Sequence, residues 1–177
     1  MILGVIPARL NSTRFPSKVI FPLKGKPIIE HVYDKAIQSK LLNEVVVAVD
    51  SEETKNKINC PNVMMTSDKH QSGTDRVAEV ANNFECDVVV NIQGDEPGID
   101  PLLIDQLITL FEDPKVEMAS VASTDLDKND LNFDPLGSLF ENLLSRNLEV
   151  FNPLHLMKAS STCFNFLTVS KSPYTVA

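Results

Sequence analysis

Three basic side chains stand close together near the start of the sequence. Arg9, Arg14 and Lys18 lie within the segment IPARLNSTRFPSK, directly after an apolar run. Guanidinium and ammonium groups bind phosphate oxygens through charge-assisted hydrogen bonds, and together they can offset the charge of a triphosphate and of the pyrophosphate released from it. The pattern predicts a phosphate-binding loop. A solvated loop without such a role is the alternative, and the Walker pattern GxxxxGK[ST] is absent.

A second polar segment, TSDKHQSGTDR, precedes a predicted helix. Ser72 and Gly73 lie where the helix begins, so free backbone N–H groups and a hydroxyl gather at its positive end and favour an anion. The alternative is an ordinary N-cap at Ser72 followed by a solvent-facing Arg76. His70 is interpreted as a loop residue, because no second histidine or carboxylate stands at metal-ligand spacing.

The third segment, VVVNIQGDEPGIDP, has two adjacent carboxylates directly after a buried strand. A hard cation that bridges to phosphate oxygens needs one or two carboxylates, so Asp95 is predicted to bind Mg²⁺. The alternative is a turn whose acids cap the next helix. Asp100 already suits that capping role, which leaves Asp95 and Glu96 available for function.

Short β-branched runs that are typical of strands buried on both faces alternate with helical patterns. The predicted strands are 2–8, 44–50, 62–66, 87–93 and 118–123. Apolar residues recur at helical spacing across 28–37, 77–84 and 103–111, and Pro27 and Pro101 suit the first position of a helix. Such alternation predicts a parallel sheet with helices on both faces, where ligands sit at the carboxyl ends of the strands. All three polar segments follow predicted strands.

The length of 177 residues predicts one domain. Residues 1–125 form the predicted nucleotide-binding α/β core, whereas 126–177 show no sustained period and are interpreted as a diverged or truncated tail of the same domain. Within the tail only a helix near 137–145 is suggested.

The charge balance argues against some classes of partner. The chain has 16 basic and 24 acidic side chains and a formal charge of −8, which disfavours a nucleic acid polymer. Three widely spaced cysteines without CxxC pairs indicate reduced thiols. The apolar start is too short for a membrane span and lacks the features of a signal peptide, so we expect a cytoplasmic protein without a membrane partner.

Taken together, the segments IPARLNSTRFPSK, HQSGTDR and NIQGDEP, with GKPIIEHVY, resemble the 3-deoxy-manno-octulosonate (Kdo) cytidylyltransferases over about residues 1 to 125. The resemblance implies a nucleotidyltransferase-type, Rossmann-like three-layer α/β sandwich with a mostly parallel sheet, and a homodimer. It implies that the anomeric hydroxyl of Kdo attacks the α-phosphorus of CTP with Mg²⁺ present, giving CMP-Kdo and pyrophosphate for lipopolysaccharide biosynthesis.

The resemblance also implies roles for individual residues. Arg9, Arg14 and Lys18 would hold the triphosphate, and Asp95 would bind Mg²⁺; Arg14, Lys18 and Asp95 are the implied catalytic residues. The backbone from Ala8 to Leu10 would lie near the base, and Gln93 would approach the sugar or the nucleotide. The residues implied to bind substrate are Ala8, Arg9, Leu10, Ser72, Gly73, Arg76 and Gln93.

The later part of the chain departs from the family pattern. Family members continue with a strand bearing a motif like YFSRxPIPY, with histidine and glutamate residues for the acid sugar, and with a second metal-binding aspartate. Residues 126–177 resemble these features only weakly. Two alternatives therefore stand beside the Kdo cytidylyltransferase. One is a catalytically impaired CTP-binding remnant or regulatory paralogue. The other is a cytidylyltransferase for another acid sugar such as sialate, which the residues of the motifs HQSGTDR and NIQGDEP disfavour.

Overall fold

A computed structural model describes residues 1–10, 17–70, 72–121 and 167–171. Its main sheet has six strands, and a separate two-stranded hairpin comprises β2 (Pro22–Leu23) and β3 (Lys26–Pro27). The main sheet comprises β1 (Ile2–Ala8), β4 (Glu44–Val49), β5 (Val63–Met65), β6 (Val88–Ile92), β7 (Met118–Val121) and β8 (Leu167–Lys171). The strand order is β5-β4-β1-β6-β8-β7. The first four strands in this order are parallel, whereas β8 is antiparallel to both of its neighbours.

Helices connect the strands. They are α1 (Ile28–Ala36), α2 (Glu52–Lys57), α3 (Gly73–Ala81) and α4 (Pro101–Thr109), with 3₁₀ turns at Lys18–Ile20 and Leu110–Glu112. Across the described ranges, none of the helices has the length and apolar character needed to cross a membrane.

The side chains of β4 show how the sheet is buried on both faces. Val45, Val47 and Val49 pack in the same apolar cluster as residues of α1 and α4, whereas Val46 and Ala48 pack with residues of α3. Successive residues of a strand point to opposite faces, so an unbroken apolar run needs helices on both sides. This arrangement confirms the predicted three-layer α/β sandwich with a mostly parallel sheet.

The predicted elements are found with small shifts at their ends. All five predicted strands and all three predicted helices are confirmed. Asp100 is the N-cap of α4, because its Oδ1 accepts a hydrogen bond from the N–H of Leu102 at 2.9 Å, and Pro101 takes the first helical position. Pro27 was wrongly predicted to take that position in α1: its ψ of 140° is not helical, and it is the N-cap. The suggested helix at 137–145 lies outside the described residues.

Three elements were not predicted. Helix α2 has the polar sequence EETKNK and so lacks an apolar stripe, and the hairpin strands have only two residues each. Strand β8, with the sequence LTVSK, belongs to the predicted tail yet pairs with both β6 and β7. The predicted domain boundary near residue 125 stays a prediction, but residues beyond it contribute a strand to the same sheet.

Asp105 of α4 holds the turn that precedes β4. Its Oδ1 accepts a hydrogen bond from the hydroxyl of Ser39 at 2.5 Å. The same oxygen accepts from the N–H of Lys40 at 3.0 Å and from the N–H of Leu41 at 3.2 Å. Burial alone would raise the pKa of Asp105, but these hydrogen bonds outweigh it, so the pKa is lowered. The contact lies at the amino-terminal edge of the sheet.

Asp105→Ala is expected to lower the free energy of unfolding at pH 7 by about 2 kcal/mol, because the turn loses its acceptor. A group whose pKa is depressed by folding stabilises the protein above its unfolded pKa of about 4, and that contribution is lost as the pH falls through the folded pKa. Urea denaturation at pH 7 and pH 3 measures both effects. The difference in unfolding free energy between the variant and the parent should be smaller at pH 3 than at pH 7. Glu112→Ala, a change at an exposed residue, is the control. A constant gap would contradict the ionic role.

Candidate active site

An open cleft of about 200 Å³ lies at the carboxyl ends of β1 and β6. After β1 the chain adds β4 and β5 on one side of this strand and then returns to add β6 on its other side. The strand order therefore reverses between β1 and β6, which are neighbours in the sheet. Ligands of open α/β sheets bind at such a switch point, because the loops after the two strands diverge there. The cleft is lined by Pro7, Arg9, Lys18, Val19, Gly73, Thr74, Gln93, Gly94 and Asp95.

The segment after β1 brings its basic residues to this cleft. Arg9 is exposed on the cleft wall, while Ala8 is fully buried. The carbonyl of Leu10 accepts a hydrogen bond from the N–H of Ser17 at 2.9 Å, which ties the two ends of the predicted phosphate-binding loop together. Arg14 lies between them, outside the described residues. Because this hydrogen bond brings the two ends of the loop together, Lys18 lies in the same cleft as Arg9.

Ser17 adopts a left-handed backbone conformation, with φ 60° and ψ 23°. This conformation costs a residue with a Cβ about 1 to 2 kcal/mol, so the surrounding structure must hold it. It starts the 3₁₀ turn that carries Lys18. The Nζ of Lys18 lies 2.8 Å from Oδ2 of Asp95, and the two side chains are 42% and 39% exposed. A predicted phosphate ligand and a predicted metal ligand therefore meet in the cleft.

Gly94 sets how closely the turn after β6 approaches β1. A Cβ added at Gly94 would stand 2.8 Å from the carbonyl oxygen of Pro7, a separation that real Cβ atoms essentially never show. Glycine is therefore required for this backbone contact. The contact places the flanking Gln93 and Asp95 on the cleft wall. Gly94 was not among the predicted site residues, and the signal that could have identified it was a glycine immediately after a buried strand.

The two acidic residues of this turn differ in surroundings. Burial raises the pKa of Glu96, as does the adjacent Asp95 carboxylate, while Lys18 opposes the shift. Asp100 caps α4, so the capping alternative is not needed to explain Asp95. Within the described ranges, no three His, Cys, Asp or Glu residues gather as a metal-binding group. A single exposed carboxylate still fits Mg²⁺, which keeps several waters and binds through one or two carboxylates plus substrate phosphates.

Helix α3 begins at the opposite wall of the cleft. The Oγ of Ser72 accepts a hydrogen bond from the N–H of Asp75 at 3.1 Å, and the Asp75 carboxylate accepts one from the N–H of Ser72 at 3.0 Å. These reciprocal bonds form a capping box. The Ser72 hydroxyl also donates to the Asp75 carboxylate at 2.6 Å, and this bond, followed by the one from the Ser72 N–H, lowers the pKa of Asp75. The N-cap alternative for Ser72 is therefore confirmed as its structural role. Gly73 lines the cleft beside Pro7.

Arg76 is fully buried, so the alternative of a solvent-facing side chain is wrong. Its Nη1 donates to Thr66 Oγ1 and, at 3.3 Å, to the carbonyl of Ser67. Its Nη2 lies 3.5 Å from Oδ2 of Asp50. Burial lowers the pKa of Arg76, and the Asp50 carboxylate opposes that shift. Arg76 does not line the cleft, and its predicted place beside a nucleotide stays a prediction.

His70 lies in the loop before α3, as the sequence indicated, and its Nε2 contacts Oε2 of Glu79. The same carboxylate accepts a hydrogen bond from the N–H of Ser67 at 2.9 Å, and the hydrogen bonds from Ser67 and His70 lower the pKa of Glu79. Glu79 was not predicted as a partner of His70, because it lies nine positions further along, on the following helix. The contact fixes the loop that leads into α3.

Two of the three cysteines lie among the described residues. Cys60 and Cys86 are free thiols there, Cys163 lies outside the described residues, and the reduced state of the cysteines stays a prediction. Burial, followed by the nearby Glu30 and Asp34 carboxylates, raises the pKa of Cys60 to about 12, so this thiol stays protonated at neutral pH.

Comparison with known proteins gives this geometry a context. The 3-deoxy-manno-octulosonate cytidylyltransferase of Geobacter sulfurreducens is 44% identical over 125 residues, which are 69% of this chain and 50% of that protein. The chain thus spans about half the length of the curated relatives it matches.

Solved structures agree on the fold. The structure of CMP:2-keto-3-deoxy-manno-octonic acid synthetase complexed with CTP matches with a TM-score of 0.65 and 38% identity, covering 67% of this chain and 51% of that chain. Rv0371C from Mycobacterium tuberculosis H37Rv, in complex with manganese, matches with a TM-score of 0.56 at 13% identity, covering 84% and 85%. The second likeness shows the fold alone.

A family model described as Cytidylyltransferase matches residues 3–139, which is most of the chain. The chain therefore belongs to the cytidylyltransferase family.

Proposed function

We propose that this protein binds CTP with Mg²⁺ in the cleft between β1 and β6 and transfers CMP to Kdo, giving CMP-Kdo and pyrophosphate. The observation that carries the proposal is the meeting of Lys18 and Asp95 at 2.8 Å in a cleft that Arg9 also lines. Cations for a phosphate chain and a carboxylate for a divalent ion lie within reach of one ligand. The 44% identity to a Kdo cytidylyltransferase supports Kdo as the acceptor.

The charges in the cleft suggest how a nucleotide is received. Arg9 and Lys18 bind phosphate oxygens, and Arg14 belongs to the same proposed set by its place in the loop. Lys18 would exchange its contact with Asp95 for a phosphate oxygen, and the carboxylate of Asp95 would then be available to hold Mg²⁺. Each of the two side chains would thus keep a partner of opposite charge when the nucleotide is bound.

Transfer of CMP depends mainly on positioning and on stabilisation of charge. The bound Mg²⁺ supplies Lewis-acid neutralisation of the phosphate charge. Arg14 and Lys18 hold the phosphates so that the sugar hydroxyl and the departing pyrophosphate lie in line at the α-phosphorus. The oxygen of the sugar hydroxyl forms the new bond to the α-phosphorus, and its proton passes to solvent. The β-γ pyrophosphate leaves with the electron pair of the broken P–O bond, and Arg14 and Lys18 stabilise its charge.

Other residues hold the nucleotide in this proposal. The backbone from Ala8 to Leu10 lies near the base, Gln93 approaches the sugar or nucleotide from the cleft wall, and the start of α3 flanks the ligand. At α3 the residues concerned are Ser72, Gly73 and, from its buried place, Arg76. A homodimer and a cytoplasmic location, where nucleoside triphosphates are available, belong to the same proposal.

A second candidate is favoured by residues 126–177, which depart from the family motifs. It is a protein that binds CTP without completing transfer. Such a protein would keep the cleft described above, since all of the lining residues fall within residues 3–139, which the family model matches. It would differ from the first candidate only in that it does not transfer CMP to Kdo.

Pyrophosphate release by the purified chain with CTP, Kdo and Mg²⁺ tests the proposal, together with CTP-induced thermal stabilisation in the same buffer. We expect both. Stabilisation without release supports the second candidate, and the absence of both contradicts the two candidates together. Replacing Kdo with a sialate in the same assay separates the acid sugars.

A further inference from the structure

A buried polar network lies beneath the cleft and joins four elements of the fold. Its centre is Asp50, the first residue after β4, whose side chain is 13% exposed. Oδ1 of Asp50 accepts a hydrogen bond from the N–H of Leu10 at 3.2 Å. Oδ2 lies 3.5 Å from Nη2 of Arg76 in α3. The two carboxylate oxygens therefore hold the segment after β1 and the helix after β5.

The arginine in this network is fixed from its other side as well. Its Nη1 donates to Thr66 Oγ1, and that hydroxyl donates in turn to the carbonyl of Val49 at 2.8 Å. The Nε has no hydrogen-bond partner among the described parts of the chain, so Nη1 and Nη2 alone orient the guanidinium. The position of Arg76 is therefore set by Asp50, by Thr66 and by the carbonyl of Ser67, to which Nη1 also donates.

Both segments that the network holds form walls of the cleft. Leu10 follows Arg9 and is bonded through its carbonyl to Ser17, the residue before Lys18. Arg76 lies one helical turn after Gly73, which faces Pro7 across the sheet edge. A change at Asp50 is thus transmitted to the basic wall on one side and to the start of α3 on the other, although Asp50 does not line the cleft.

We propose that Asp50 is a positioning residue that couples the segment after β1 to helix α3 and so sets the separation of the two cleft walls. This inference rests on the proposed function for its consequence in nucleotide binding. A buried carboxylate is needed because it offers two acceptors with a negative charge opposite a fully buried guanidinium. Removing it leaves Arg76 with an uncompensated charge and Leu10 with an unpaired N–H.

The test uses the full chain with Asp50→Ala and Asp50→Asn, and with Asp105→Ala as a matched control. Asp105 is also an acceptor of several backbone hydrogen bonds, but it lies at the opposite edge of the sheet. The control therefore loses stability without disturbing the cleft. Two quantities are measured: amide hydrogen exchange of Leu10 by NMR in the free protein, relative to amides of β4, and affinity for CTP with Mg²⁺ by calorimetry.

In Asp50→Ala we expect Leu10 exchange to be about tenfold faster relative to β4, and CTP affinity to fall by about tenfold, since one buried hydrogen bond and one ion pair are lost. Asp50→Asn, which keeps an acceptor for Leu10, should restore the protection of Leu10 in part but not the contact with Arg76. If Asp50→Ala does not fold, Asp50→Asn is compared with the control by its CTP affinity, which should fall in Asp50→Asn alone.

Leu10 exchange that rises no more than in Asp105→Ala would overturn the inference. Faster exchange with unchanged CTP affinity would overturn it too, because the cleft walls would then not depend on Asp50. A parent protein that binds no CTP would refute the proposed function, and the consequence for nucleotide binding with it, while Leu10 exchange would still decide whether Asp50 holds the segment after β1.

Discussion

Asp95→Asn is expected to weaken the binding of CTP in the presence of Mg²⁺ by about 100-fold, equivalent to about 2.7 kcal/mol. The carboxylate of Asp95 lines the cleft and pairs with Lys18, and a neutral amide is a poor ligand for a hard cation. Calorimetric titration of CTP with and without Mg²⁺ measures the effect. Without Mg²⁺ the variant should bind CTP no more weakly than the parent, because the removed charge leaves Lys18 free to meet a phosphate.

The matched control is Asp100→Ala, five positions along the same segment. Asp100 accepts a hydrogen bond from the N–H of Leu102 and caps α4, so its loss should cost about 1 kcal/mol of unfolding free energy and leave CTP affinity unchanged. Equal loss of CTP binding in both variants would mean that the carboxylates are wrongly assigned. A similar loss for Asp95→Asn with and without Mg²⁺ would argue against a metal-binding role.

Gly94→Ala should damage the cleft through the backbone alone. The added Cβ would stand 2.8 Å from the carbonyl oxygen of Pro7, and neither atom lies on a flexible side chain, so the turn after β6 must move. We expect a loss of about 1 to 3 kcal/mol in unfolding free energy. We also expect CTP affinity to fall at least about tenfold, since a shift of the turn displaces Asp95. Thermal denaturation and calorimetry measure the two effects.

Gly98→Ala is the control for this change. Among the residues that the structure describes, no heavy atom lies within 4 Å of a Cβ at Gly98, so the substitution should be tolerated in stability and in CTP binding. Gly94→Ala that behaves like Gly98→Ala would show that the turn after β6 is free to adjust. The close contact with Pro7 would then have no part in placing Asp95.

Much of the fold was predictable because burial on both faces leaves a strong pattern. A run such as EVVVAVD has no polar face, and only a central strand of a layered sheet accommodates it. Helix α2 has no such pattern, because its sequence EETKNK contains no apolar residue; it begins at Ser51, whose hydroxyl accepts a hydrogen bond from the N–H of Thr54. The hairpin strands depend on Lys24 and Gly25, which turn the chain with positive φ angles of 51° and 82°.

In the candidate site, Asp95 was predictable because it follows the end of β6, and Lys18 because it lies in the basic segment after β1. The residues that position them were not, because their roles arise from contacts distant in sequence. Asp50 reads as the end of a strand, and its partners Leu10 and Arg76 are 40 and 26 positions away. Gly94 is one glycine among six, and only the approach of Pro7 distinguishes it.

The place of β8 between β6 and β7 has a consequence for the order of assembly. The edge of β6 faces β8, so during synthesis it stays open until residues 167–171 emerge from the ribosome. β7 pairs with β8, Met118 with Ser170, and it cannot join the sheet through this contact before then. Contacts between residues so far apart in sequence form slowly, and an open strand edge invites association with other chains. Nascent chains that stop short of β8 should therefore be the aggregation-prone species.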